Sequence, residues 1–236
     1  MRTTVGKEIE ANRALRLLTD KRSSPGASSP AEHQCPGGRM LVDVGCGSGD
    51  FARRVHERYD TVVGMDFIPL ARSDSDNVHL VRADLRQGIP LGDEVADTVT
   101  AIEVVEHITN PVLLAREAFR IARPGGKFIL TTPNVRYVRH LFHLVVQGQG
   151  PKTSGHRNND LLWDGGHIHY FTSNDLVRLL KEAGFASVGS TALIQRGGFL
   201  PMVRRLLLCW PGNPLVREFL TGRLLVIGTK PWGAPV

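Results

Sequence analysis

Two short stretches carry the side chains that could move a proton or hold an ion. In Glu103-Val104-Val105-Glu106-His107, two carboxylates and an imidazole fall in one segment. In Gly165-Gly166-His167-Ile168-His169-Tyr170-Phe171-Thr172, two imidazoles alternate, so an extended backbone would set both on one face. Imidazole is the side chain best matched to taking a proton from a hydroxyl near neutral pH. His107, His167 and His169 are therefore the candidate catalytic bases. The structural alternative for each is a hydrogen-bonded group that fastens a loop, and of His167 and His169 one is expected in each role. His140 and His156 lack the context for an assignment. The carboxylates and imidazole of 103–107 could also bind a hard or borderline cation. Spacing without geometry does not make a metal site, and none is assigned.

A third stretch, Met40 to Asp50 (MLVDVGCGSGD), points to a nucleotide-like ligand. Its apolar run reads as a buried parallel strand. Gly45, Gly47 and Gly49 follow at alternate positions and allow close approach of a ligand to the backbone. Phe51–Tyr59 then reads as a helix, so strand, glycine turn and helix build a crevice at a strand's carboxyl end. A dinucleotide fingerprint would need its third glycine at position 50, where Asp50 stands. Further strands are expected over Thr61–Met65, closed by Asp66, and over Val78–Arg82, followed by Ala83-Asp84-Leu85. Another, Ala96–Ile102, leads into Glu103, and Phe128–Thr132 follows the turn Arg123-Pro124-Gly125-Gly126. An acid such as Asp66 suits a ribose, because one carboxylate accepts from two hydroxyls. Helices are expected at Pro111–Ala122, at Leu141–Val146 and at Asn174–Ala183, the last stopped by Gly184. Strands are expected at Ala186–Ile194 and Leu224–Thr229. This alternation defines an α/β protein.

The D-x-G-x-G-x-G pattern from Asp43 to Gly49 resembles the cofactor loop of class I S-adenosylmethionine (SAM) dependent methyltransferases. The later fragments stand in the order that family has, including the R-P-G-G turn before a fifth strand. His167 to Thr172 resembles a segment of methyltransferases close to the ubiquinone-pathway and glycan-cluster enzymes. The resemblance implies a Rossmann-like, doubly wound seven-stranded sheet with its last strand antiparallel and helices on both faces. It implies SAM as cofactor, held by Asp43, Gly45, Cys46, Gly47, Gly49, Asp66, Phe67, Ala83, Asp84, Leu85 and Glu103, with Asp84 receiving the adenine amino group. The E-x-x-E-H pattern is similar to one associated with a divalent cation in ubiquinone-pathway O-methyltransferases. The implied reaction is methyl transfer to a small molecule, on oxygen. The alternatives are transfer to nitrogen and a SAM-binding partner protein without catalysis. A nicotinamide oxidoreductase is disfavoured by Asp50.

Composition sets the frame for these motifs. The chain has 236 residues, 42% of them hydrophobic, which suits one large domain. We expect an N-terminal helix in 1–20 (Val5–Leu18), a Ser/Pro/Gly-rich linker over 21–38, and a methyltransferase domain over 39–236 with acceptor or lid inserts near 134–166 and 196–222. The N-terminus lacks a continuous apolar segment, so no signal peptide is expected. Cys35, Cys46 and Cys209 read as reduced thiols of a cytoplasmic protein. The net charge of +6 sits mostly in the tail: from Ser190 onward Arg196, Arg204, Arg205, Arg217, Arg223 and Lys230 face Glu218 as the only acid. A solvated basic face is the expectation there. Few aromatic residues lie in the basic regions, which disfavours nucleic acid. Tyr137, Leu141, Phe142 and Trp163 in one insert, and Phe199, Leu200, Met202 and Trp210 in the other, suit an apolar or lipid-linked small-molecule acceptor. The basic amphipathic stretch 196–222 is expected to act as a mobile lid, with weak peripheral membrane contact as its alternative.

Overall fold

The computed structural model describes residues 39–68, 75–154, 163–193 and 218–233. The expected N-terminal helix and linker, and positions 196–217 of the second insert, lie outside them.

Seven strands form one sheet: β1 (Met40–Val44), β2 (Thr61–Asp66), β3 (Val78–Arg82), β4 (Ala96–Ile102), β5 (Ala122–Pro133), β6 (Ala186–Leu193) and β7 (Arg223–Thr229). Their order across the sheet is β3-β2-β1-β4-β5-β7-β6. Strands β1 to β5 pair in parallel, whereas β7 runs antiparallel to both β5 and β6. The last strand therefore inserts against the others, as the sequence led us to expect. The chain order reverses between β1 and β4, and such switch points open a crevice at the carboxyl ends of the strands.

Both faces of the sheet are covered, which is why its central strands are apolar throughout. On one face, Val42, Val44, Val99, Ala101, Phe128 and Leu130 belong to the larger core. Helices α2 (Pro111–Ile121) and α4 (Ser173–Glu182) close that face with Leu114, Ala118, Ile121, Leu176 and Leu180. Each such leucine or isoleucine contributes about 1.5–3 kcal/mol by leaving water. On the other face, Leu41, Val62 and Val78 meet Phe51, Ala52 and Val55 of α1 (Asp50–Val55). The remaining helix, α3 (Val138–Val145), follows β5 and leaves Val138, Phe142, Leu144 and Val145 exposed. No helix among the described residues is long and apolar enough to cross a membrane.

Local signals place the helix ends. Asn110 caps α2 by accepting from the Leu113 N–H at 3.0 Å, with Pro111 in the first turn. Thr172 and Asp175 form a capping box on α4. The Arg123-Pro124-Gly125-Gly126 turn differs from the expectation of a turn ahead of the strand. It interrupts one extended run, because pairing jumps from Ala96–Ala122 to Thr98–Lys127. The bulge is held to the sheet by hydrogen bonds from Gly125 N to Lys230 O (2.8 Å) and from Lys230 N to Gly126 O (2.9 Å).

The described part of the basic tail is not a solvated face. Lys230 is fully buried, with Nζ 3.1 Å from Glu94 Oε1 and 4.7 Å from the centre of the Phe119 ring. Arg223 pairs with Glu103. A lysine stem buries its methylenes well, but its ammonium needs a counter-charge once out of water.

Candidate active site

The crevice forms where four strands end side by side. A cavity of about 340 Å³ is lined by Gly45 after β1, by Asp66 and Phe67 at the end of β2, by Asp84, Leu85 and Arg86 after β3, and by Glu103, Val104, His107 and Ile108 after β4. That size lies in the range of small-molecule sites, roughly 300–1,000 Å³.

The glycine loop is strapped onto β2. The N–H groups of Gly45 and Cys46 both donate to Met65 O, at 2.7 and 3.0 Å. Gly45 has φ +72°, and a Cβ there would come within 2.3 Å of Val104 Cγ2, so turn geometry and close packing both demand glycine. The Gly47 N–H donates to Asp66 Oδ2 at 2.7 Å, and the Ile68 N–H to Asp66 Oδ1 at 3.2 Å. These two bonds orient the Asp66 carboxylate while leaving lone pairs for further donors.

Not every residue expected at the cofactor reaches the cavity. Asp43 is buried beneath the loop, where Oδ1 accepts from Thr100 Oγ1 at 2.7 Å. Cys46, Gly47, Gly49 and Ala83 also fall outside the lining. Asp84 does line it, but its carboxylate meets Arg86 in a bidentate pair, both contacts 2.8 Å. That guanidinium holds the Asp84 pKa down at about 2. Arg86 and Arg82 also lie over the Phe67 ring, at 5.6 and 5.4 Å from its centre. Sequence reasoning passed over both arginines, although R-A-D-L-R shows them flanking the acid.

The segment after β4 separates residues that the sequence put together. Glu103 has φ +57°, and its carboxylate turns to Arg223 Nε (3.1 Å) and the Thr131 hydroxyl (3.2 Å). Glu106 points into the protein and is nearly fully buried. Its Oε2 accepts from Thr132 Oγ1 at 3.1 Å, while Oε1 has no hydrogen-bond partner among the described residues. Burial, and next the Glu103 charge, push the Glu106 carboxyl well above the usual range. The group that comes together is Glu106, His107 and His167, each offering one ligand atom within 4.8 Å of the others. Glu103 is not a member, so this group differs from the Glu103, Glu106 and His107 that lie together in the sequence.

The three candidate bases sit differently. His107 is exposed and lines the cavity, with Nδ1 3.0 Å from Gly166 O. His167 is buried behind it, the two rings edge-on with centres 4.7 Å apart. His169 turns toward Phe171 instead, ring centres 5.9 Å apart, and its Nε2 is buried without a partner among the described residues. His140 is structural: it is buried, Nδ1 meets Asn134 O at 2.9 Å, and burial lowers its pKa.

Comparison with known proteins decides the family. A chain of a Haloferax volcanii complex between a methyltransferase activator and a methyltransferase shares the fold, with a TM-score of 0.64 and 17% identity over 98% of this chain and 94% of that one. The family model for the methyltransferase domain matches residues 8–189. The chain belongs to that methyltransferase family. Among curated relatives of this methyltransferase, a Mycolicibacterium smegmatis protein named as SAM-dependent is 35% identical over 111 residues, covering 43% of this chain and 40% of that protein. The ubiquinone biosynthesis O-methyltransferases of Aliivibrio fischeri and Pseudomonas fluorescens are 26% and 33% identical, over 66% and 46% of this chain. The matches span 68% and 50% of those two proteins. The methyltransferase is SAM-dependent and of class I fold. Its crevice suits that cofactor: Gly45 of the glycine loop, an oriented carboxylate at Asp66 and an exposed aromatic at Phe67 line one cavity.

Proposed function

We propose that this methyltransferase methylates an oxygen of a small, apolar or lipid-linked molecule, with His107 as the base. The supporting observation is the place of His107, in the cavity wall beside Gly45 and Asp66. The Gly166 carbonyl can only accept, so His107 Nδ1 carries a hydrogen and Nε2 is the basic nitrogen. When bound, SAM supplies a sulfonium methyl that transfers in line to a nucleophile. Asp66 holds ribose hydroxyls, Phe67 packs against the ring system, and His107 takes the proton of the acceptor hydroxyl, since an alkoxide or phenolate attacks far better than the neutral group. The O-methyltransferase names of relatives support oxygen as the target. The test is S-adenosylhomocysteine release with a panel of phenols, catechols, alcohols and amines of rising apolarity. Turnover confined to amines would overturn the oxygen reading, and SAM binding without turnover on any acceptor would favour a non-catalytic partner protein.

Asp66→Ala is expected to weaken SAM binding by about 1–3 kcal/mol, the cost of leaving buried hydroxyls unpaired. Calorimetry reads this directly, and an unchanged dissociation constant would remove Asp66 from the site. NAD is expected to bind far more weakly than SAM.

A divalent cation is the second reading, favoured by a buried Glu106 whose Oε1 has no hydrogen-bond partner among the described residues and whose carboxylate lies close to the imidazoles of His107 and His167. Glu106, His107 and His167 would then hold it, and it would lower the pKa of a bound hydroxyl as a Lewis acid. His107 cannot serve as ligand and base through the same nitrogen, so the readings exclude each other. Turnover that survives exhaustive chelation leaves His107 as base; turnover abolished by chelation and restored by Mg²⁺ or Zn²⁺ replaces that role.

A further inference from the structure

A chain of polar contacts outside the cavity wall assigns a role to two residues that the function above does not use. Asp164 and Thr153 meet behind His167. The Thr153 hydroxyl lies 2.6 Å from Asp164 Oδ2 and 2.6 Å from His167 Nδ1. The N–H groups of Thr153 and Ser154 donate to the two oxygens of Asp164, at 2.9 and 3.0 Å. Backbone N–H groups only donate, so both Asp164 oxygens act as acceptors, and the single hydroxyl proton of Thr153 goes to Asp164 as well. Thr153 Oγ1 then has only lone pairs to offer His167. The hydrogen between them must come from Nδ1 of the imidazole.

The same loop also holds the second ring. Asp164, Gly165 and Gly166 all have positive φ (+44°, +68° and +85°). For a residue other than glycine this conformation is costly, and Asp and Asn tolerate it best. It turns the Gly166 carbonyl to His107 Nδ1 while the Asp164 side chain reaches back to Thr153.

We infer that Asp164 and Thr153 are positioning residues: they lock His167 with its hydrogen on Nδ1 and its lone pair on Nε2, and the Asp164 loop sets the adjoining His107 ring. The role in turnover rests on His107 as base, whereas the tautomer of His167 does not. A His167 ring free to flip would offer His107 a different edge and loosen its placement, and misplacement of about 1 Å can cost roughly 10²-fold in rate.

The test uses full-length protein labelled with ¹⁵N-histidine, in the wild type and in Thr153→Val, Thr153→Ser and Asp164→Asn. Valine keeps the shape of threonine without the hydroxyl, and asparagine keeps the tolerance for positive φ, so all three variants should fold. Long-range ¹H–¹⁵N spectra should show a protonated Nδ1 and a bare Nε2 on His167 in the wild type and in Thr153→Ser, and a shift toward the other tautomer in Thr153→Val. Turnover should fall roughly ten- to a hundredfold in Thr153→Val and Asp164→Asn, with the dissociation constant of SAM unchanged, and Thr153→Ser should restore it. A proton on Nε2 alone in the wild type would overturn the inference. Wild-type turnover in Thr153→Val would also overturn it. If instead His107→Ala keeps its activity, the base assignment fails while the tautomer result stands, so the two failures are distinguishable.

Discussion

His107→Ala lowers kcat by roughly 10²–10⁴, the usual contribution of a positioned general base, and leaves SAM affinity unchanged. The ring is exposed at the cavity wall, so its loss opens no cavity in the core. What goes is a proton acceptor and an edge contact with His167. Single-turnover kinetics with the best acceptor of the panel, beside calorimetry with SAM, separates the two effects. An equal loss of SAM affinity would make His107 a cofactor contact. Near-normal kcat would mean that holding the acceptor in line suffices, or that the proton leaves by another route. His107→Gln serves as the control, since it preserves a polar group of similar reach that cannot take a proton near neutral pH.

Arg223→Ala destabilises the fold by about 3–5 kcal/mol, the usual cost of stripping one partner from a buried ion pair. The side chains of Arg223 and Glu103 are 18% and 9% exposed, and their contact joins β7 to the end of β4 across β5. Without the guanidinium, the Glu103 carboxylate keeps, among the described residues, the Thr131 hydroxyl alone, next to the already buried Glu106. Urea unfolding followed by circular dichroism measures the loss. Adding Glu103→Gln to the variant should recover much of it, because the uncompensated charge is gone. A change under about 1 kcal/mol would show that water reaches Glu103 and that the pair behaves as a surface bridge. The cofactor site is expected to weaken along with the fold, since Glu103 lines the cavity.

The two substitutions test different layers of the protein, and those layers were unequally legible in the chain. Strands β1, β2 and β4 were readable because each is a short apolar run closed by a turn or an acid, which is how a strand buried on both faces must look, whereas β3 lies at the sheet edge, largely exposed, and was readable from Val78, Leu80 and Val81. The bounds Val78–Arg82 and Ala96–Ile102 agree between sequence and structure. The glycine turn was readable because positive φ at Gly45 and tight contact with Val104 leave no other choice. Helix α3 was harder: it begins at Val138, ahead of the expected Leu141, because its apolar residues face outward and mark no buried stripe.

The amino-acid sequence by itself determined the α/β order of elements, the SAM-type glycine loop, the acids that end the strands and the histidines available for chemistry. Those features are local: each depends on a backbone preference or a spacing within a few residues. Tertiary structure alone decided the partners. It sent Glu103 to Arg223 and removed it from the group with Glu106, although three positions separate them. It brought His167 against His107, 60 positions apart, and placed Asp164 and Thr153 behind it. It buried Lys230 beside Glu94 and Phe119, where composition suggested a solvated cation. Buried charge and hydrogen bonding are settled by whichever donors and counter-charges the sheet order brings within about 3 Å, and that order follows from burying both faces of the sheet at once.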